Sequence, residues 1–255
     1  MIRFFVGREN ITDDRIYLDD REDMKHLVKV LRARPGDKVV ISDGVSTEYL
    51  TEIREIGESE VILDILESQP FEREPETQVT LYQGVPKAAK LETIVQKTVE
   101  LGVHRIVPVF MKRTVVSDKG NFAKKQQRLQ KIADEAVKQC KRGIIPEVSD
   151  ATDFSEMMKE LEAEGFDMVL LPYENEEGYT IKDALRNGTE ESGLHRGSRI
   201  AVIIGPEGGF EEEEVRTVEE TFDRKAAVVT LGKTILRTET AGMAALAMIM
   251  YELEL

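Results

Sequence analysis

Two segments combine glycine, proline and charge in a way that ordinary turns do not require. In AVIIGPEGGFEEEEV, a continuous apolar run ending at Ile204 passes into Gly205, Pro206, Glu207, Gly208, Gly209 and Phe210 before the acidic run Glu211 to Glu214. A strand-to-helix turn needs one glycine. Three glycines and a proline between 205 and 209 predict a backbone held in special conformations close to a partner. A phosphate cradle is disfavoured, because Glu207 and the glutamates that follow would set carboxylates beside the anion. In VVTLGKTILRTETAGMAALAM, the run Ala227 to Leu231 ends at Gly232, and Leu236 to Ala241 enter a helix that continues with Gly242, Ala244 and Ala245. Small residues let backbones approach closely. A third strand end supplies Leu171, Pro172, Tyr173 and Glu174. Ligands in open α/β sheets bind beyond the carboxyl ends of the strands, so these loops point at one site.

Several other chemistries lack their markers. No GxSxG elbow, Walker loop or post-strand GxGxxG is present. His26, His104 and His195 are scattered and form no HExxH or Cys/His pattern, which argues against a metal site.

The elements that must position these loops are legible. Val79 to Gln83, Ile106 to Val109, Met168 to Leu171, Ile200 to Ile204 and Ala227 to Leu231 are continuous apolar runs, the signature of parallel strands covered on both faces. Helical stripes lie between them. Leu91, Ile94, Val95 and Thr98 end at Gly102, and Leu129 to Cys140 ends at Gly143. Phe154, Met157, Met158 and Leu161 are bounded by a cap at Asp153 and a stop at Gly165. A further helix starts in Glu211 to Glu214 and buries Val215, Val218 and Phe222, and the last runs from about Thr238. This alternation predicts an α/β domain.

The first seventy residues read differently. Arg3 to Val6, Arg15 to Leu18, Lys38 to Ser42, Glu48 to Ile53 and Val61 to Leu66 are short β-rich runs that suggest a small barrel, interrupted by a helical insert, DMKHLVKVLR. Gln69 to Gln78 carries two prolines and no apolar period, and reads as a linker. The expected division is therefore 1–70 and 75–255.

The chain has 255 residues, a formal net charge of -14, and one cysteine, Cys140. Without a disulfide framework, signal peptide or spanning segment, the expectation is a cytoplasmic protein. The charge is uneven. Residues 84–146 hold 14 Lys and Arg against 5 Asp and Glu, so a localised phosphate footprint is expected in an otherwise acidic protein.

Taken together, GPEGGF at 205–210, LGKTILRTETA at 231–241, QKTVELGV at 96–103 leading to IVPV, RTVVS at 113–117 and EAVKQCKRGIIP at 135–146 resemble the RsmE family. These are bacterial methyltransferases of the SPOUT class that modify N3 of a uridine in 16S ribosomal RNA. The resemblance extends to the amino terminus, where the FF at 4–5 and HLVKVLR at 26–32 resemble the family's PUA-like RNA-binding barrel. It implies an α/β SPOUT domain with a deep trefoil knot, preceded by that barrel, acting as a homodimer on 16S rRNA or the small subunit, with no metal.

The resemblance also implies S-adenosylmethionine as cofactor. The loops that would hold it are Leu171, Pro172, Tyr173 and Glu174; Ile204, Gly205, Pro206, Glu207, Gly208 and Gly209; and Leu231, Gly232, Ile235, Leu236, Arg237, Thr240 and Ala241. Methylation at uracil N3 requires loss of a weakly acidic proton, so Arg237 is expected to stabilise the anion and Glu207 is the second candidate, as base. For RNA, the expected contacts are Arg3, His26 and Arg32 in the barrel and Arg113, Lys124, Lys125, Arg128, Lys138 and Arg142 in the basic stretch, with Phe4 or Phe5 available for stacking. The rival readings are a SPOUT enzyme acting on another rRNA or tRNA base, a non-catalytic RNA-binding ribosome-assembly protein, and a phosphate-binding α/β enzyme.

Overall fold

The computed structural model describes residues 3–71, 74–117, 122–191 and 194–255. It forms two compact units, Met1–Glu74 with Val137–Ile145, and Pro75–Ala136 with Pro146–Leu255. The first unit thus takes in a segment that the sequence reading placed wholly in the second.

In the first unit, β1 (Arg3–Phe5), β2 (Arg15–Leu18), β3 (Lys38–Ser42), β4 (Thr47–Ile56) and β5 (Val61–Pro70) form a sheet of order β1-β3-β4-β5-β2. The β1–β3 pair is parallel and the others are antiparallel. The two edge strands, β1 and β2, are not hydrogen-bonded neighbours in this order, so the expected barrel is a curled open sheet among the described residues. Phe4, Ile16, Leu18, Leu27, Ile41, Ile53 and Leu63 form its core, and Phe5 is only half-buried. The helical insert is α1 (Arg21–Lys25), capped by the Asp20 carboxylate, which accepts the N–H groups of Glu22 and Asp23. It continues as a π-helical turn over His26–Val30.

Residues 141–144 close this unit. The Arg3 guanidinium pairs with Glu48 and donates to the carbonyls of Lys141 and Arg142. Ser42 Oγ donates to Gly143 O at 2.7 Å. The Glu74 carboxylate accepts from Arg142 at 3.0 Å and from the N–H groups of Gly143 and Ile144. The expected linker is accordingly no free spacer: Gln69 and Pro70 prolong β5, Glu74 is anchored, and Gln78 opens the next strand. Its Glu72 and Arg73 lie outside the described residues.

The second unit contains a sheet built from β6 (Gln78–Gly84), β7 (Arg105–Phe110), β8 (Glu147–Val148), β9 (Thr152–Asp153), β10 (Met168–Pro172), β11 (Arg199–Ile204) and β12 (Ala226–Val229). The order is β12-β10-β11-β6-β7-β8, with β9 also on β7, and every pair is parallel. Its helices are α2 (Lys90–Glu100), α3 (Phe122–Cys140), α4 (Phe154–Glu164), α5 (Ile181–Glu191), α6 (Glu212–Phe222) and α7 (Thr238–Glu254). On one face, Tyr82, Val107, Val169 and Ile203 pack with Met157 and Leu161 of α4 and Val215 and Val218 of α6. Helix α7 contacts α2, α5, β6 and β11. Asp153 caps α4 by accepting the Glu156 N–H, and Gly165 ends it at φ +63°, a conformation that favours glycine. Helix α5 and the two-residue strands β8 and β9 had no counterpart in the sequence reading. Among the described residues no helix is long and apolar enough to cross a membrane.

The end of β6 meets the 205–209 loop at close range. A Cβ on Gly84 would lie 2.4 Å from Pro206 N and 2.7 Å from Gly205 C. Gly84→Ala is therefore expected to destabilise the protein by about 1–3 kcal/mol through overpacking, and a thermal midpoint equal to wild type would contradict this approach. Glu74→Ala would remove the carboxylate that pairs with the Arg142 guanidinium, in a residue only 8% exposed. Loss of one partner of a buried pair costs about 3–5 kcal/mol, so early melting of the variant is expected by circular dichroism.

Candidate active site

The carboxyl ends of β10, β11 and β12 open onto one cavity of about 890 Å³. Of the expected cofactor residues it is lined by Pro172, Tyr173, Glu174, Ile204, Gly205, Pro206, Glu207, Gly209, Leu231, Gly232, Ile235, Leu236, Arg237 and Ala241. Three others stand apart. Leu171 is fully buried in the core between sheet and helices, because alternate residues of a strand point to opposite faces. Gly208 packs against the Arg113 side chain instead, and Thr240 is solvent-exposed on α7. Sequence reasoning also missed lining residues, chiefly Lys90, Glu176, Glu177 and Thr180.

A buried polar relay holds two walls of the cavity together. Gln83 Nε2, at the end of β6, donates to Thr238 Oγ1 at 2.9 Å, and Thr238 Oγ1 donates to Gly205 O at 2.7 Å. Thr238 opens α7, whose Ala241 and Thr240 N–H groups bond back to Arg237 O. The loop itself turns through Gly209 N–H to Pro206 O, and a Cβ on Gly209 would lie 2.4 Å from Glu174 Oε1. Gly209 sits at φ +68°, a conformation that favours glycine, and a Cβ on Gly205 would press on the Gly209 backbone at 3.1 Å.

Glu207 is poorly suited to the role of base. Burial pushes its carboxyl up, but the Lys90 ammonium at 3.1 Å and the Lys87 N–H at 3.0 Å prevail and hold it below the usual carboxylate range. A carboxylate so stabilised is a weak proton acceptor. Its lone pairs serve the loop. Arg237 is different: it lines the cavity, is exposed, and its guanidinium makes no hydrogen bond or ion pair among the described residues. Ile235 stands at the same rim, 83% exposed.

The basic stretch is largely spoken for. Lys112 pairs with Glu213, Arg113 with Glu211 at 2.9 Å and with Gly208 O at 3.0 Å, and Arg128 with Glu92 at 3.0 Å. Lys138 pairs with Asp23 at 2.6 Å, and Lys125 lies over the Phe122 ring at 5.4 Å. Arg142 and Arg3, expected on RNA, are committed inside the first unit, so neither is offered to phosphate. Arg113 is a strut of the glycine loop. His26 and Arg32 are exposed in the first unit and Lys124 and Arg128 in the second. Phe4 is core, with His26 edge-on at 6.0 Å, which leaves Phe5 as the more accessible ring. No cluster of three or more metal-ligating side chains occurs among the described residues.

Comparison with known proteins places this geometry. The family model of an RNA methyltransferase domain matches residues 72–250, and that of an RNA methyltransferase PUA domain matches 18–66. The ribosomal RNA small subunit methyltransferase E of Bacillus subtilis (strain 168) is 32% identical over 258 aligned positions, covering 100% of this chain and 98% of its own. That of Rickettsia conorii is 26% identical, covering 97% and 94%. The crystal structure of the Neisseria gonorrhoeae enzyme of the same name, bound to S-adenosyl methionine, superposes with a TM-score of 0.78 at 29% identity, covering 99% of this chain and 98% of that one. With domain matches over most of its length and relatives aligned end to end, the chain belongs to the ribosomal RNA small subunit methyltransferase E family.

Proposed function

We propose that this protein transfers a methyl group from S-adenosylmethionine to N3 of a uridine in 16S rRNA, in the cytoplasm and as a homodimer. The observation that carries the reading is the convergence of three strand ends on one cavity with an unpaired guanidinium, Arg237, at its wall. The residues present fit the cofactor. The volume lies in the range of ligand sites, roughly 300–1,000 Å³, and a Cβ on Gly205 would press on Gly209 at 3.1 Å and on Phe210 at 3.3 Å. Gly205, Gly209, Leu231, Leu236 and Ala241 would hold it through backbone and apolar contacts. When bound, it supplies a sulfonium methyl that is already electrophilic.

This chain's own task is to prepare the nucleophile. The N3–H proton must pass to solvent before an N–CH₃ bond forms, and a fixed cation nearby stabilises the resulting uracil anion. Arg237 suits this role, since its guanidinium is held in no ion pair among the described residues and meets the Glu239 charge only at longer range. Glu207 serves by anchoring its loop. His26, Arg32 and Lys124 remain the RNA contacts, supplying phosphate affinity. The return of the chain from edge strand β12 past β10 and β11 to a helix on β6 and α2 supports a trefoil knot. Exposed Met248 and Tyr251 on α7 support a self-association surface.

Nucleoside mapping by mass spectrometry, on rRNA from cells lacking the protein and from the same cells after its return, tests substrate and reaction together. Arg237→Ala is expected to slow single-turnover methyl transfer on the order of 10²- to 10³-fold while leaving S-adenosylhomocysteine affinity nearly unchanged. A cation lowers the N3 pKa, so its removal should move the half-maximal pH of the rate upward. Glu207→Gln should weaken cofactor binding without moving that midpoint; a shift would restore Glu207 as base.

A further inference from the structure

We propose that Lys90 is a positioning residue that sets the gap between two walls of the cavity, bridging Glu207 on the loop after β11 and Glu239 in the first turn of α7. The inference rests on the reading that this cavity holds the methyl donor. Lys90 Nζ lies 3.1 Å from Glu207 Oε1 and 3.2 Å from Glu239 Oε2, and Lys90 itself lines the cavity. Neither carboxylate has another side-chain cation within ion-pair distance among the described residues. Glu239 Oε2 is buried, and the Lys90 ammonium is its one ion-pair partner among the described residues, beside the Glu239 N–H and the more distant Arg237 charge. The lysine also sits where a lone cation is unfavourable. It is the first residue of α2, at the positive end of the helix dipole, and α2 has no side-chain cap. Carboxylates facing it offset that cost.

Charge makes the bridge specific. Glu207 is faced by Lys90 and the Lys87 N–H from the α2 side and by its own N–H, and Glu239 in α7 by Lys90, its own N–H and the Arg237 charge at the N-cap of that helix. The Lys90 ammonium donates to the Glu207 and Glu239 carboxylates, which raises its pKa. Burial pushes both carboxyls up, yet each is held below its ordinary value, Glu207 chiefly by Lys90 and Glu239 by its own N–H and then Lys90. Without Lys90, two carboxylates anchored around one point repel, and the walls part. Acidification protonates one of them and relieves the repulsion. The intact bridge, ionised throughout, has no such response between pH 5 and 8.

Calorimetry of the full chain with S-adenosylhomocysteine at pH 5 to 8 tests this. Wild-type affinity should be flat with pH. Lys90→Met should weaken binding at pH 8 on the order of tenfold, the scale of one charge-assisted hydrogen bond, and recover as the pH falls toward 5. Lys90→Arg should restore binding to within about threefold, and Lys90→Met combined with Glu239→Gln should be flat again. Should Lys90→Met not fold, Lys90→Gln carries the same comparison. Binding by the Met variant within twofold of wild type at pH 8, or a loss equal at every pH that arginine does not rescue, would overturn the bridge. A wild-type protein that binds no S-adenosylhomocysteine would overturn the reading of the cavity itself, and the bridge with it.

Discussion

The hydroxyl of Thr238 is the point on which the site depends. It accepts from the Gln83 amide and donates to the Gly205 carbonyl, so one buried atom pair fixes a central strand, the glycine loop and the first turn of the last helix relative to one another. Each partner is otherwise a potential liability. The Gln83 side chain and the Gly205 carbonyl are buried, and buried polar groups left unbonded cost free energy. The relay satisfies the Gly205 carbonyl and the Gln83 amide NH₂, and leaves Gln83 Oε1 as the one buried oxygen of the group without a partner among the described residues. Around this point the backbone can be held without regular secondary structure, which is what a site that reads ligand edges through N–H and C=O groups needs.

Much of this was legible before any coordinate. The parallel strands announced themselves as unbroken apolar runs, and α4 is bounded by the aspartate and glycine that its sequence marks. Capping chemistry and two-sided burial act locally, which is why they survive in a linear reading. Helix α5 was missed because its apolar stripe is short, with Ile181, Ala184 and Leu185 buried. The strands β8 and β9, two residues each, have no period to detect. Lys90 escaped notice because a lysine among PKAAKLE looks like a solvated helix start. Its one signal was electrostatic, a cation in a first turn where carboxylates belong.

Charge counting misled for a related reason. The excess of lysine and arginine in residues 84–146 suggested a phosphate footprint, yet Arg105, Lys112, Arg113, Arg128, Lys138 and Arg142 each meet a carboxylate from outside the stretch or from a neighbouring element. A sum along the chain cannot distinguish a free cation from one whose partner is distant in sequence. RNA affinity must then come from fewer side chains than the count implied, with a correspondingly shallower dependence on ionic strength.

The discontinuity of the first unit bears on how the protein is made. Arg3, Ser42 and Glu74 all bond to residues between 141 and 144. On the ribosome, the amino-terminal strands therefore emerge long before the segment that completes them, and contacts of such long sequence separation form slowly. Translation must pass the midpoint of the message before this unit can close, with the Glu74 carboxylate and the Ser42 hydroxyl waiting in water meanwhile. A messenger cut at the apparent end of the sheet would encode strands without their clasp.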